Sequence, residues 1–113
     1  MKTKPNILVV CGRNKIRSKT AEYLFRNDDR INIRSVGLSP TSSRKINHQD
    51  FEWASLILVM ENKHKSRILK TYENIKMPKI LVLNIKDEYQ YLDHELCEIL
   101  KTKINDIIET ISN

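Results

Sequence analysis

Four short apolar or β-branched runs that alternate with helical patterns predict an α/β protein, an open four-stranded parallel sheet with helices on both faces. The middles of the first, third and fourth runs are nearly unbroken hydrocarbon, which suits strands covered on both sides rather than half-exposed ones. Strand-helix-strand connections of this kind cross over in the right-handed sense. A chain of 113 residues can bury one core and is too small for two, so one domain over 1–113 is expected.

The first strand runs from Asn6 to Val10 and delivers Cys11 at its carboxyl end. Gly12 to Ile16 form a loop, and a helix starts near Arg17, with Ala21, Leu24 and Phe25 at helical spacing. Ile31 to Val36 are the second strand. Asn47 then caps a short helix that ends near Trp53, and Ser55 to Met60 form the third strand. Ile68, Leu69 and Tyr72 mark another helix before the fourth strand, Lys79 to Asn84. In the last helix Leu92, Leu96, Ile99, Leu100, Ile104, Ile107, Ile108 and Ile111 make one apolar stripe, with Asp93 as its N-cap and Cys97 as a core residue.

The longest apolar runs are Ile7 to Cys11, Leu56 to Met60 and Ile80 to Leu83. They are too short to cross a bilayer or to serve as a signal-peptide core, so a cytoplasmic address and no membrane partner are expected. Cys11 and Cys97 are the only cysteines, which argues against a disulfide framework and suits a reducing compartment. Twenty Lys and Arg against fourteen Asp and Glu leave a formal charge of +6, which favours anionic partners. The basic stretch "ENKHKSRILK" reads as a solvated helix face. No nucleic-acid motif accompanies it, so nucleic acid is not the expected partner. His48 and His64 lack metal-ligand spacing, and neither a metal nor another cofactor is expected.

The chemistry concentrates in "VVCGRNKIRSKTAEYLF". A loop between a strand end and a helix N-terminus can turn its N–H groups around an anion, with the positive end of the helix dipole behind it. That field favours the thiolate form of a cysteine facing it, which makes Cys11 a candidate nucleophile. Arg17, at the closing end, can grip two phosphate oxygens with its planar fork, and Ser18 can aim a hydroxyl at the sulfur. Cys11 taken alone also fits a small hydrophobe ending a core strand, and Arg17 alone a solvated first-turn residue. A cation suits a helix N-terminus poorly unless an anion is bound there.

The run "ILVVCGRNKIRSKTAEYLF" resembles the N-terminal signature of low-molecular-weight protein tyrosine phosphatases. "IRSVG", "DFEWASLILVME" and "IKDEYQYLD" are similar to later segments of that family, so the resemblance covers most of the chain and points to a shortened branch. It implies a phosphotyrosine protein phosphatase I-like fold and hydrolysis of a phosphotyrosine protein or small aryl phosphate through a cysteinyl phosphate. It further implies Cys11 as nucleophile, Arg17 as phosphate clamp and Asp87 as general acid. Gly12, Arg13, Asn14, Lys15, Ile16 and Ser18 would bind the phosphate. Asn14 would hold the loop shape, Ser18 and Ser35 would support the thiolate, and Tyr89 would stack on an aryl group.

Four departures from the family pattern stand out. Arg13 replaces the usual loop glycine, and Ile16 stands where many relatives carry a second cysteine, which removes a protective disulfide inside the loop. Glu88 replaces a proline beside the acid. Between "SVGLSP" and "DFEW" only "TSSRKINHQ" remains of a longer segment that walls the cleft. The competing function is a phosphate-binding protein without turnover. Arsenate reduction is disfavoured because Cys97 alone, in a helix, would have to relay a disulfide.

Overall fold

The hydrocarbon of the strand cores goes to two apolar layers, one on each side of a sheet. The structure, a computed structural model, describes residues 4–112. Its elements in chain order are β1 (Asn6–Cys11), α1 (Arg17–Phe25), β2 (Asn32–Gly37), α2 (His48–Trp53), β3 (Leu56–Val59), α3 (Asn62–Thr71), β4 (Lys79–Val82) and α4 (His94–Ser112). The four strands pair in parallel in the order β2-β1-β3-β4. Ile7, Val9 and Cys11 of β1 face a cluster built with Leu56 and Leu58 of β3, Ala21 and Phe25 of α1, and Leu96, Leu100, Ile104 and Ile108 of α4. Leu8 and Val10 face the opposite cluster, with Ile57, Val59, Phe51 of α2 and Ile68 of α3. The expected α/β sheet, covered on both faces, is therefore present.

Local chemistry sets several element ends. Asn47 caps α2 by accepting from Asp50 N–H, while the Asp50 carboxylate takes the Asn47 N–H in return. Asp93 caps α4, its Oδ1 accepting from Glu95 N–H and Leu96 N–H at 2.9 and 3.4 Å. Leu92 lies before that helix, at a φ of 61°, and is exposed. Ile111 is exposed too, so the buried stripe of α4 is narrower than the apolar pattern. Cys97 is half-buried and belongs to neither buried cluster, because its neighbour Leu96 takes the inward position. Of the three residues expected to pack α3 only Ile68 is fully buried; Leu69 is exposed and Tyr72 is the C-cap.

The chain leaves β1 for β2 on one side and then crosses to β3 on the other. In open α/β sheets such a reversal opens a crevice at the carboxyl ends of the strands. Cys11 ends β1, opposite Gly37 of β2, and Glu61 and Ile85 follow β3 and β4 at the same edge. Among the described residues no helix is long and apolar enough to cross a membrane.

Candidate active site

The loop after β1 is shaped from outside. The carbonyls of Cys11, Gly12 and Arg13 accept from Leu38 N–H at 3.1 Å, Ser39 N–H at 2.8 Å and Ser43 N–H at 3.1 Å. In a trans peptide the following N–H points opposite to the carbonyl, so the amides of Gly12, Arg13 and Asn14 turn inward. Asn14 N–H does reach Cys11 Sγ, at 3.3 Å. The short segment after β2 therefore frames the loop. Gly37 makes the approach possible: a Cβ there would lie 2.7 Å from Arg13 C and Asn14 N. Asn14 takes a φ of 55°, a left-handed conformation that asparagine tolerates better than most residues.

Cys11 is a free, buried thiol, with Sγ 2.9 Å from Ser18 Oγ. Asn14 Nδ2 donates to Ser18 Oγ at 2.8 Å, which leaves the serine hydrogen to point at the sulfur. Asn14 thus acts twice, through its backbone on the sulfur and through its amide on the serine. Both groups can donate to the sulfur, Asn14 through its N–H and Ser18 through its hydroxyl. Behind the loop, α1 begins without a side-chain cap and without an acidic residue in its first turn. Its positive end is left for an anion.

Arg17 is buried rather than solvated. Its Nη1 donates to Glu61 Oε2 and to the carbonyl of Ile85, both at 2.7 Å, and its Nε lies 3.8 Å from Asp87 Oδ1. The guanidinium is thus anchored along one edge by the segments that follow β3 and β4. The Arg17 hydrogen bond holds the Glu61 carboxyl below the usual carboxylate range, against a smaller opposing effect of burial. Asp87 is exposed and lines the same cleft, a cavity of about 530 Å³ that also holds Cys11 at its foot. Gly12, Arg13, Lys15 and Ile16 line it as well.

Other positions differ from the sequence-based expectation. Ser35 sits in β2 opposite Val9, two residues before Cys11, and among the described hydrogen bonds none joins it to the sulfur. It does not support the thiolate directly; its N–H donates to Glu22 Oε1 at 2.9 Å. Tyr89 is not among the residues lining the cleft, because it packs partly buried against the α1/α4 core. Asn14 and Ser18 lie beneath the cleft floor as buried supports. Glu61 closes the family-like segment "DFEWASLILVME" but was given no role there, and His64 and Arg67 were read only as part of a solvated basic stretch. A further signal was their place directly after an apolar strand in a parallel sheet, where ligand-binding segments lie.

His64 is 4% exposed and lines the cleft. Its Nδ1 accepts from Glu61 N–H at 3.2 Å, which leaves the ring proton on Nε2, beside Gly12. Burial, reinforced by the nearby Arg17 charge, lowers its pKa to about 4. A histidine that stays neutral when folded and protonates near 6.5 when unfolded costs stability as pH falls below 6.5, with the loss levelling off near pH 4. Between pH 7 and pH 5 this amounts to about 2 kcal/mol. Denaturant unfolding at a series of pH values should show that slope, and His64→Asn should largely remove it. Glu61 contributes in the same direction at lower pH, because its stabilisation fades as pH falls through its depressed value. A wild-type stability that stayed flat from pH 7 to 5 would contradict a neutral buried His64.

Among the described residues no group of three His, Cys, Asp or Glu is arranged to hold a metal ion. Comparison with models of protein families finds no match, and no curated protein matches the chain in sequence. Solved structures do match. The chain is similar to the YwlE arginine phosphatase from Geobacillus stearothermophilus, with a TM-score of 0.79 and 21% identity over 96% of this chain and 93% of that one. It is similar to a low-molecular-weight protein tyrosine phosphatase from Streptococcus pyogenes, with a TM-score of 0.79 and 18% identity over 96% and 93% of the two chains. The tyrosine phosphatase Wzb from Escherichia coli K30, in complex with phosphate, matches with a TM-score of 0.74 and 19% identity over 96% and 99%. Over nearly its whole length, then, this chain has the fold of the low-molecular-weight protein tyrosine phosphatases.

Proposed function

We propose that the protein is a metal-independent phosphomonoester hydrolase that acts on phosphotyrosine or another aryl phosphate through a cysteinyl phosphate. The observation that carries this reading is Cys11 Sγ held by Asn14 N–H and Ser18 Oγ at the end of β1, with the N-terminus of α1 and the buried Arg17 beside it. Similarity to phosphatases of the same fold supports it. In the first step the Cys11 thiolate attacks phosphorus, the ester P–O bond breaks, and Asp87 gives its proton to the leaving oxygen. The inward amides and Arg17 take up the charge that spreads over the equatorial oxygens. In the second step the Asp87 carboxylate accepts a proton from water, the water oxygen attacks phosphorus, and the S–P bond breaks to return the thiolate and free phosphate. Asp87 must leave its 3.8 Å contact with Arg17 for this work, and its exposure leaves it room to do so.

Phosphate release from aryl phosphates, with reductant and a chelator present, tests the reading. Wild type should turn over, and Asp87→Asn should slow a substrate with a poor leaving group by about 100-fold or more. A substrate with a good leaving group should slow by less than about tenfold, because it needs little help from a proton. Equal slowing of both would remove Asp87 from the acid role. A wild type that binds phosphate and releases none would favour the alternative, an anion receptor built on the same loop.

A further inference from the structure

The proposed phosphate site takes the loop amides and Arg17, and the cleft carries four more cations. Arg13 and Lys15 stand on the loop, and Lys63 and Arg67 stand on α3. All four are exposed, and Asp87 is the only acidic residue that lines the cleft with them. Their existing partners are weak or already shared. Lys63 lies 3.7 Å from a Glu61 oxygen that Arg17 holds at 2.7 Å, and Arg67 donates at 3.4 Å to the carbonyl of Leu38. Arg13 and Lys15 make no ion pair among the described residues. On the same wall the buried His64 presents its Nε2 proton beside Gly12, with no hydrogen-bond partner among the described residues.

Four like charges around one opening repel one another and raise the local concentration of anions, so such a rim is used when something anionic lies across it. Resting on the phosphatase reading, we propose that the α3 wall and the loop rim form a second anionic subsite, and that the preferred substrate is a phosphotyrosine flanked by acidic side chains. Placement on two elements of one cleft, the loop and α3, suits an extended peptide with carboxylates on both sides of the phosphotyrosine. The long, exposed Lys and Arg chains suit carboxylates of variable position. The same rim opposes a leaving group that carries positive charge, so a phosphorylated arginine is a poor fit even though one protein of this fold is an arginine phosphatase.

The test uses two phosphotyrosine peptides of equal length, one with Glu on both sides of the phosphotyrosine and one with Gln. Phosphate release by wild type gives kcat/KM for each, and binding to the Cys11→Ser protein gives Kd for each. Both ratios should favour the acidic peptide by about five- to twentyfold at low salt, as expected for a few exposed charge pairs. In about 0.5 M salt the preference should shrink to within about twofold. In a Lys63→Ala/Arg67→Ala double variant the ratio itself should fall by at least about threefold; reading the ratio cancels any general loss of activity. Equal values for the two peptides, or a preference that the double variant leaves intact, would overturn the subsite. Selective binding of the acidic peptide with no phosphate release from either would keep the subsite and sink the hydrolase reading. Release at equal rates from both would do the reverse. Failure of the protein to bind or cleave either peptide would reject both.

Discussion

Cys11→Ser is expected to lower kcat for aryl phosphate hydrolysis by at least about 10⁴-fold, the scale seen when an enzyme loses its nucleophile. The physical reason is the environment of the sulfur. Ser18 Oγ and Asn14 N–H stabilise an anion at that point, which a thiol provides far more readily than a hydroxyl. A serine oxygen can accept the same two hydrogen bonds, so the loop should keep its shape and its inorganic phosphate site. Thermal unfolding of the variant, with and without phosphate, checks this: the upward shift of Tm by phosphate should survive while turnover disappears. Residual activity within about tenfold of wild type would mean that the phosphoryl group does not pass through Cys11.

Arg17→Ala is expected to affect both activity and stability. Loss of the fork should lower kcat/KM by about 10³-fold, in the range found for removal of one preorganised transition-state donor. The same change strips Glu61 Oε2 and the Ile85 carbonyl of a partner at 2.7 Å. Because Glu61 keeps some contact with water, the cost should fall below that of a fully buried pair, at about 2 kcal/mol. Arg17→Lys should restore part of the stability, since one ammonium can still reach Glu61. It should restore little activity, since it cannot hold Glu61 and two phosphate oxygens in one plane. Denaturant titration and steady-state kinetics on the two variants separate these effects. A lysine variant with near wild-type kcat/KM would show that the anchored fork is not the clamp.

The legible parts of this molecule were those written by periodicity or by local hydrogen bonding. Ile7 to Val10 and Leu56 to Val59 are apolar without alternation because both sheet faces are covered, and that pattern sufficed to place them. Asn47 and Asp93 announced their helices through caps that depend only on the next three residues. Cys11 and Arg17 were legible from their places at a strand end and a helix start. The partners of Arg17 were not, because Glu61 and Ile85 reach it only through the sheet order. His64 and Arg67 sit in a stretch whose charge suggested a solvated face, and that face turns out to be one wall of the cleft. Tyr89 shows the opposite case: an aromatic in a polar loop reads as a substrate contact, yet here it packs against the edge of the core. The shortened segment that begins at Thr41 was read only for the wall it lacks; its Ser43 amide, with those of Leu38 and Ser39 just before it, also bonds the loop carbonyls.

The anchoring of Arg17 also bears on how the chain assembles. Its two strongest contacts lie 44 and 68 residues further along, so closing them requires long loops to be brought together. The first strand, its loop and α1 are contiguous and can associate early, but the guanidinium has nothing to hold until β3 and β4 have docked. Competence to grip an anion in the right geometry is thus a property of the completed sheet rather than of the motif. A nascent or partly unfolded chain displays the cysteine before Arg17 has found its partners, and in that interval the thiol lacks the burial of the finished fold and lies open to oxidation or alkylation.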